Sequence, residues 1–209
     1  MRFTDMAEHI FGNRSRVRVL RLLAGVSVPL NASQIGARTR LSQPAVATAL
    51  NDLAALGIVA SSPAGRAWVH WIVDDNVYVS EIIRPLFEAE GAIPQELLTD
   101  LKETFGSSAI SVVLFGSYAR NDISDASDID VVLVGEDGAA KNALQACASE
   151  VAERFAGRWG STLSPLVYDL EEAASLVSRA PDLYSAIDRD GIAASGLEPS
   201  EWGMHAEKG

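Results

Sequence analysis

The chain has 209 residues, 48% hydrophobic and 22% charged, which suits one or two packed cores and excludes a disordered or low-complexity protein. A single cysteine, Cys147, excludes an internal disulfide and is expected to pack in a helix; no cysteine–histidine cluster has zinc spacing. The net charge of −11 is uneven: residues 1–80 hold eight arginines against five acidic residues, whereas residues 81–209 hold nine basic residues against 23 acidic ones, so two different modules are expected.

The first residues, "MRFTDMAEHIFGNRS", carry no apolar signal core, and no stretch approaches the roughly 18 apolar residues of a membrane span, so a cytoplasmic location is expected. From Asn13, "NRSRVRVLRLL" predicts an amphipathic helix with Val19, Leu20 and Leu23 on one face and Arg14, Arg18 and Arg21 on another. Next, "NASQIGARTRLSQPAVATALNDLAALGIV" predicts two helices. Ser33 is the expected N-cap of the segment 34–38, and Ser42 that of a longer helix running to about Leu56 and ended by Gly57. In the longer helix Val46, Leu50 and Leu53 form the buried face, leaving Gln43, Thr48 and Asn51 on other sides. "IVASSPAGRAWVHWIV" then predicts a hairpin turning over Ser61 to Gly65, with Trp68 and Trp71 as packing residues.

Helix, helix-turn-helix and hairpin in this order, over about residues 10–75, resemble the winged-helix DNA-binding domain of bacterial regulators of the arsenic-repressor type. The resemblance implies a helix from Gln43 in a major groove, with Gln43, Thr48 and Asn51 toward base edges. It also implies Arg66 at the hairpin tip reaching a phosphate or the minor groove, and Arg14, Arg18, Arg38 and Arg40 on phosphates. Winged helices also serve as protein–protein modules; the positive charge of this half favours DNA.

The connector reads as helical. "VYVSEIIRPLFEAE" places Val79, Ile82, Ile83 and Leu86 on one side, with Pro85 kinking the helix or starting a turn; a break is expected from Gly91 to Pro94, followed by a second helix carrying Leu97, Leu98, Leu101 and Phe105. These helices join the modules or build a dimer contact.

In "LFGSYARNDISDASDIDVVLV", Leu114 to Val134, an apolar strand ends in Gly116-Ser117, and a second strand begins just after Asp128. Strand side chains alternate, so Asp128 and Asp130 share a side, an arrangement of like charges that a cation would relieve. The whole pattern resembles the DNA polymerase β-like nucleotidyltransferase superfamily, and most closely its minimal bacterial members, in which "GSYAR" and "SDID" recur. The resemblance implies that Gly116, Ser117 and Arg120 bind a nucleoside triphosphate and that Asp128 and Asp130 are the catalytic carboxylates holding one or two Mg²⁺ ions. Asp122 and Asp125 are expected to be turn residues.

The superfamily takes a third carboxylate from a later strand, expected here within "STLSPLVYDLEEA", and Ser164 stands at that place. Asp169 lies five residues beyond; Asp169-Leu170-Glu171-Glu172 has the form of a helix N-cap with an acidic third residue, so Asp169 is expected to cap. A missing third carboxylate removes a candidate general base. "KNALQACASEVAERFAG" predicts an amphipathic helix and "LYSAIDRDGIAASG" a helix and a short strand.

The expected fold class is α+β in two domains: a winged helix-turn-helix over 1–76, a helical connector over 77–106, a nucleotidyltransferase fold with a mixed sheet flanked by helices over 107–198, and a flexible tail over 199–209 in which Trp202 is the residue able to dock. The expected function is DNA binding joined to Mg-NTP binding and transfer of a nucleoside monophosphate to an acceptor hydroxyl. The alternative is a transcriptional regulator whose weakened transferase fold serves as a nucleotide sensor or dimerisation module. Duplex DNA, a nucleotide and a second copy of the chain are the expected partners, with no membrane.

Overall fold

The structure, a computed structural model, describes residues 5–120, 122 and 127–207, and its contacts divide the chain between Ala92 and Ile93. The first unit holds α1 (Met6–Phe11), α2 (Arg14–Ala24), β1 (Leu30–Asn31), α3 (Ala32–Thr39), α4 (Gln43–Ala55), β2 (Val59–Ala64) and β3 (Ala67–Ile72). Asn13 opens α2 because its side chain accepts from the amides of Ser15 and Arg16, satisfying two donors the helix itself cannot. Val19, Leu20 and Leu23 of α2 are buried with Ile35 of α3 and with Val46, Ala49, Leu50 and Leu53 of α4. Antiparallel strands in the order β1-β3-β2 close the unit.

Two local expectations are corrected. The cap of α3 is Asn31, not Ser33: Asn31 accepts from the Gln34 amide while the Gln34 side chain accepts from the Asn31 amide, and pairing with Val69 holds Asn31 extended for the purpose. The hairpin turn is narrower than Ser61–Gly65. Ser61 to Ala64 all pair with β3, leaving Gly65 and Arg66 to turn, and Gly65 supplies the positive φ of 65°. On β3, Trp71 is half-buried, but Trp68, opposite Pro63, is 59% exposed and does not pack as expected.

Val79–Ile83 forms a π-helical turn, after which α5 runs from Arg84 to Phe105. The wide turn falls just before Pro85, whose ring and missing N–H do not suit a regular helix interior. It also changes the helical phase: Val79 and Ile83 are buried, whereas Ile82 and Leu86, expected beside them, are 44% and 46% exposed. The expected break from Gly91 to Pro94 does not occur; α5 continues through Pro94, and the division between the units falls within it.

The second unit adds β4 (Ser111–Phe115), α6 (Gly116–Ala119), β5 (Ile129–Gly135), α7 (Gly138–Trp159), β6 (Leu163–Asp169), α8 (Leu170–Arg179), α9 (Pro181–Asp190), β7 (Ile192–Gly196) and α10 (Trp202–Ala206). Its mixed sheet has the order β6-β5-β4-β7, with only β5 and β6 parallel. The strands β4 and β5 read as unbroken apolar runs because both faces are covered. Val112, Leu114, Ile129, Val131 and Leu133 face one core with Leu97, Leu101 and Phe105 of α5 and Leu144, Ala148 and Phe155 of α7. Val113, Val132 and Val134 face the other with Ala173 and Leu176 of α8, Ile187 of α9 and Trp202. Pro165 sits on the edge strand β6, where the absence of an N–H is tolerated.

Residues 199–206 are not a loose tail. Pro199–Glu201 forms a 3₁₀ turn leading into α10, and Trp202 is fully buried, with its Nε1 donating to Ser111 Oγ at 3.0 Å and its ring edge-on to Tyr184. The segment lacks helical periodicity because one large side chain, not a stripe, anchors it. Among the described residues, no helix is long and apolar enough to cross a membrane.

Candidate functional site

Because β4 and β5 are antiparallel, the end of one lies beside the start of the other, and Phe115 pairs with Asp130. That register brings Gly116-Ser117 and the D-x-D segment to one end of the sheet. Gly116 adopts a φ of +73°, and a Cβ built there would lie 2.2 Å from Asp130 Oδ2. The glycine therefore does two things: it makes the left-handed bend, and it leaves room for a carboxylate pressed against the backbone.

Asp130 is half-buried on the parity of Val132 and Val134, the sheet face covered by α8 and α9, while Asp128 is exposed just before β5. Burial pushes the Asp130 carboxyl above the usual carboxylate range; the hydrogen bond from Ser164 opposes this, the Asp128 charge adds to it, and the Arg120 charge opposes it. A carboxylate desolvated and crowded by another is poorly stabilised by the protein alone, and this donor chemistry fits a divalent cation. Among the described residues no three histidine, cysteine or acidic side chains gather in metal-binding geometry.

Ser164 stands opposite Asp130 in the parallel β5–β6 ladder, so the position expected for a third carboxylate is beside the site and holds a hydroxyl. Asp169 is opposite Gly135, five residues and roughly 16 Å further along β6. There it caps α8, its side chain accepting from the Glu172 amide at 2.9 Å while the Glu172 carboxylate accepts from the Asp169 amide at 3.2 Å. Lys141 Nζ also donates to Glu172 at 2.7 Å, so the carboxylate that completes the cap is held from α7 as well.

Ser117 lies half-buried on the short α6, and Arg120 follows α6, exposed. The Arg120 guanidinium is 3.6 Å from Asp190 Oδ2 at the end of α9, and Arg189 forms two hydrogen bonds to the same carboxylate. The Arg189 hydrogen bond leads in holding Asp190 below the usual carboxylate range, and Arg120 contributes to it. Sequence reading missed Asp190; 70 residues separate it from Arg120, and no local pattern marks it. Asp122 donates its amide to Ser117 O, as a turn residue would, and Asp125 lies outside the described residues.

The first unit carries a second candidate surface. Gln43, Thr48 and Asn51 of α4 are exposed, as are Arg14, Arg38, Arg40 and the turn residue Arg66, while Arg18 is half-buried. Arg40 takes a φ of +55° in the turn between α3 and α4. Arg21 leaves the expected basic stripe: its Nε and one terminal nitrogen donate to Glu90 at 2.7 and 2.8 Å, and its guanidinium lies over the Phe87 ring.

Residues 94–175 match the model of the nucleotidyltransferase domain, and residues 13–61 match that of the bacterial regulatory protein arsR family. An arsR-type helix-turn-helix and a nucleotidyltransferase domain share this chain. Two curated relatives from Methanocaldococcus jannaschii carry the names "Putative protein adenylyltransferase MJ1305" and "Putative protein adenylyltransferase MJ0604". The first is 30% identical over 78 residues, 37% of this chain and 53% of its own length. The second is 40% identical over 42 residues, 20% of this chain and 42% of its own. The chain thus spans about half, or less, of these relatives. Among solved structures, the adhesin competence repressor of Streptococcus pyogenes is 15% identical with a TM-score of 0.35, covering 46% of this chain and 69% of that one. A toxin-antitoxin structure with AMP-PNP is 20% identical with a TM-score of 0.35, covering 55% and 82%.

The nucleotidyltransferase domain implies a nucleotide substrate and usually a divalent metal. Its matched segment includes Gly116, Asp128, Asp130 and Ser164 but ends before Asp190, and the arsR-type segment includes α4 whole but ends before the Gly65–Arg66 turn.

Proposed function

We propose that the nucleotidyltransferase domain binds a magnesium–nucleoside triphosphate complex and transfers the nucleoside monophosphate to a hydroxyl group, and that the helix-turn-helix domain binds duplex DNA. One observation carries the first part: the Asp130 carboxylate occupies the space a side chain at Gly116 would fill, so that a bend able to admit phosphate and a charge able to hold a cation are built together. The names of the relatives support a protein hydroxyl as acceptor.

In this reading the Gly116 backbone and the Ser117 hydroxyl face the triphosphate and Arg120 meets its charge, while Asp128 and Asp130 hold Mg²⁺. Bound there, the ion supplies charge neutralisation for the phosphates. The acceptor oxygen forms a bond to the α-phosphorus, the bond to the bridging oxygen breaks, and pyrophosphate leaves with the electron pair. The hydroxyl proton passes to water, since Ser164 offers no carboxylate to take it, and transfer is correspondingly slow. The chain is read as a cytoplasmic homodimer, a state light scattering measures directly.

Incubation of the full chain with labelled nucleotides, Mg²⁺ and cell protein tests the transfer. Label appearing on protein with wild type and lost in both Asp128→Ala and Asp130→Ala supports it. Ser164 favours a second reading, a regulator that senses nucleotide without turning it over. Tight Mg-dependent nucleotide binding with no transfer supports that reading and removes the enzyme.

A further inference from the structure

The exposed face of α4 carries no cation. Its sequence, QPAVATALNDLAA, holds one charged residue, Asp52, and that carboxylate lies 4.0 Å from Arg16 Nε on α2. Val46, Ala49, Leu50 and Leu53 are buried, and helical spacing then turns Pro44, Thr48, Asn51 and Ala55 directly outward, with Ala47 beside them. All five are exposed. The outward surface therefore consists of one amide, one hydroxyl with a methyl group, and small apolar groups.

From this surface, and resting on the reading that the first unit binds duplex DNA, we infer that α4 selects A·T base pairs in the major groove. Guanine is most often recognised by a cation, arginine or lysine bidentate to its O6 and N7, and α4 offers none. An asparagine amide matches adenine, donating to N7 and accepting from the N6 amino group, and Asn51 is the outward amide of the helix. Methyl groups match the C5-methyl of thymine, and Ala47 and the Thr48 methyl flank Asn51 on the same exposed side. Gln43 is the weaker reader. Its Nε2 lies 3.1 Å from where a Cβ on Gly36 would be, so its amide rests against α3 instead of standing clear. The hairpin agrees: Arg66 is exposed at its turn, and the narrow minor groove of A·T runs attracts such an arginine. Of the other exposed arginines of this unit, Arg21 is held by Glu90, and Arg14, Arg38 and Arg40 lie outside α4 and serve affinity through phosphates, which carry no sequence information.

The experiment is selection of binding sites by the full chain from a random duplex pool at about 0.1 M salt. The recovered sequence is then titrated with wild type, with Asn51→Ala, and as a duplex with deoxyuridine in place of thymidine, which removes only the C5-methyl groups. Expected are A·T-rich half-sites, a loss of about tenfold or more for Asn51→Ala confined to one or two positions, and weaker binding to the deoxyuridine duplex. Asn51→Arg should move that position toward guanine. Asn51 is exposed, so unchanged melting of the variants separates lost readout from lost folding. Selected sites rich in G·C, or salt-dependent binding with no sequence preference, overturn the inference while leaving DNA binding intact. No salt-dependent binding to any duplex overturns the DNA-binding reading itself, and the inference with it.

Discussion

At the scale of single residues, two positions carry more than their local sequence shows. A side chain at Gly116 meets both a left-handed backbone and the Asp130 carboxylate 2.2 Å from its Cβ. Gly116→Ala is therefore expected to cost about 2 kcal/mol or more in chemical denaturation. Because the nearest colliding atoms belong to the carboxylate, adding Asp130→Ala should recover part of that loss, and strict additivity of the two would contradict the collision. Asp100, 6% exposed, accepts from Arg154 at 2.8 Å and from Trp159 Nε1 at 2.9 Å. Burial alone would push its carboxyl up; the hydrogen bonds from Arg154 and Trp159, with the charges of Arg154 and Arg158, outweigh this and hold it below the usual carboxylate range. A lowered carboxylate binds its proton more weakly in the folded state, so its contribution is present above the unfolded value of about 4 and is lost as pH falls through the folded one. Asp100→Asn should thus cost about 2 kcal/mol at pH 7, a value moderated by the half-exposed arginines, and the difference from wild type should shrink as the pH drops below about 4.

At the scale of elements, the C-terminal segment is a structural part of the second unit. Trp202 fills the core over Val113 and Val132, and its ring nitrogen bonds Ser111 Oγ, which in turn donates to Leu197 O at 2.6 Å. Trp202→Ala is expected to destabilise the unit by about 3–5 kcal/mol, and deletion from Glu198 onward should do at least as much. Thermal melts of the two variants check this; near-native melting of the truncated chain would mean that the segment is dispensable. The cap of α8 makes a smaller contribution. Asp169→Ala removes one hydrogen bond of a capping box, about 1 kcal/mol, and should leave nucleotide binding unchanged because Asp169 is far along β6 from Asp130.

At the scale of the whole molecule, charge is divided between the units: residues 1–92 hold nine basic and eight acidic residues, and residues 93–209 hold eight and 20. The second unit repels a phosphate backbone, so attraction for DNA must come from the arginines of the first. If Arg14, Arg18, Arg38, Arg40 and Arg66 each neutralise one phosphate, the logarithm of affinity should fall with the logarithm of salt with a slope of about −4 to −5 per copy. Arg18→Glu should make that slope shallower by about one or more. A flat salt dependence would remove these arginines from the interface.

Short-range patterns in the sequence by themselves determine much of this protein. The apolar runs about Gly116 and Asp130, the D-x-D spacing, the N-cap form of Asp169 and the buried face of α4 all depend on neighbours within a few residues, where the strand and helix repeats act directly. Other features were decided only by the tertiary structure. Arg120 meets Asp190 across 70 residues of chain, Trp202 reaches Ser111 across 91, and Ser164 meets Asp130 because β6 lies parallel to β5 in one register. Even the run of α5 through Pro94 was hidden, since local propensity argues for a break there. Sequence periodicity records which face of an element is buried; it does not record which distant side chain completes that face, because that follows from how the finished elements pack.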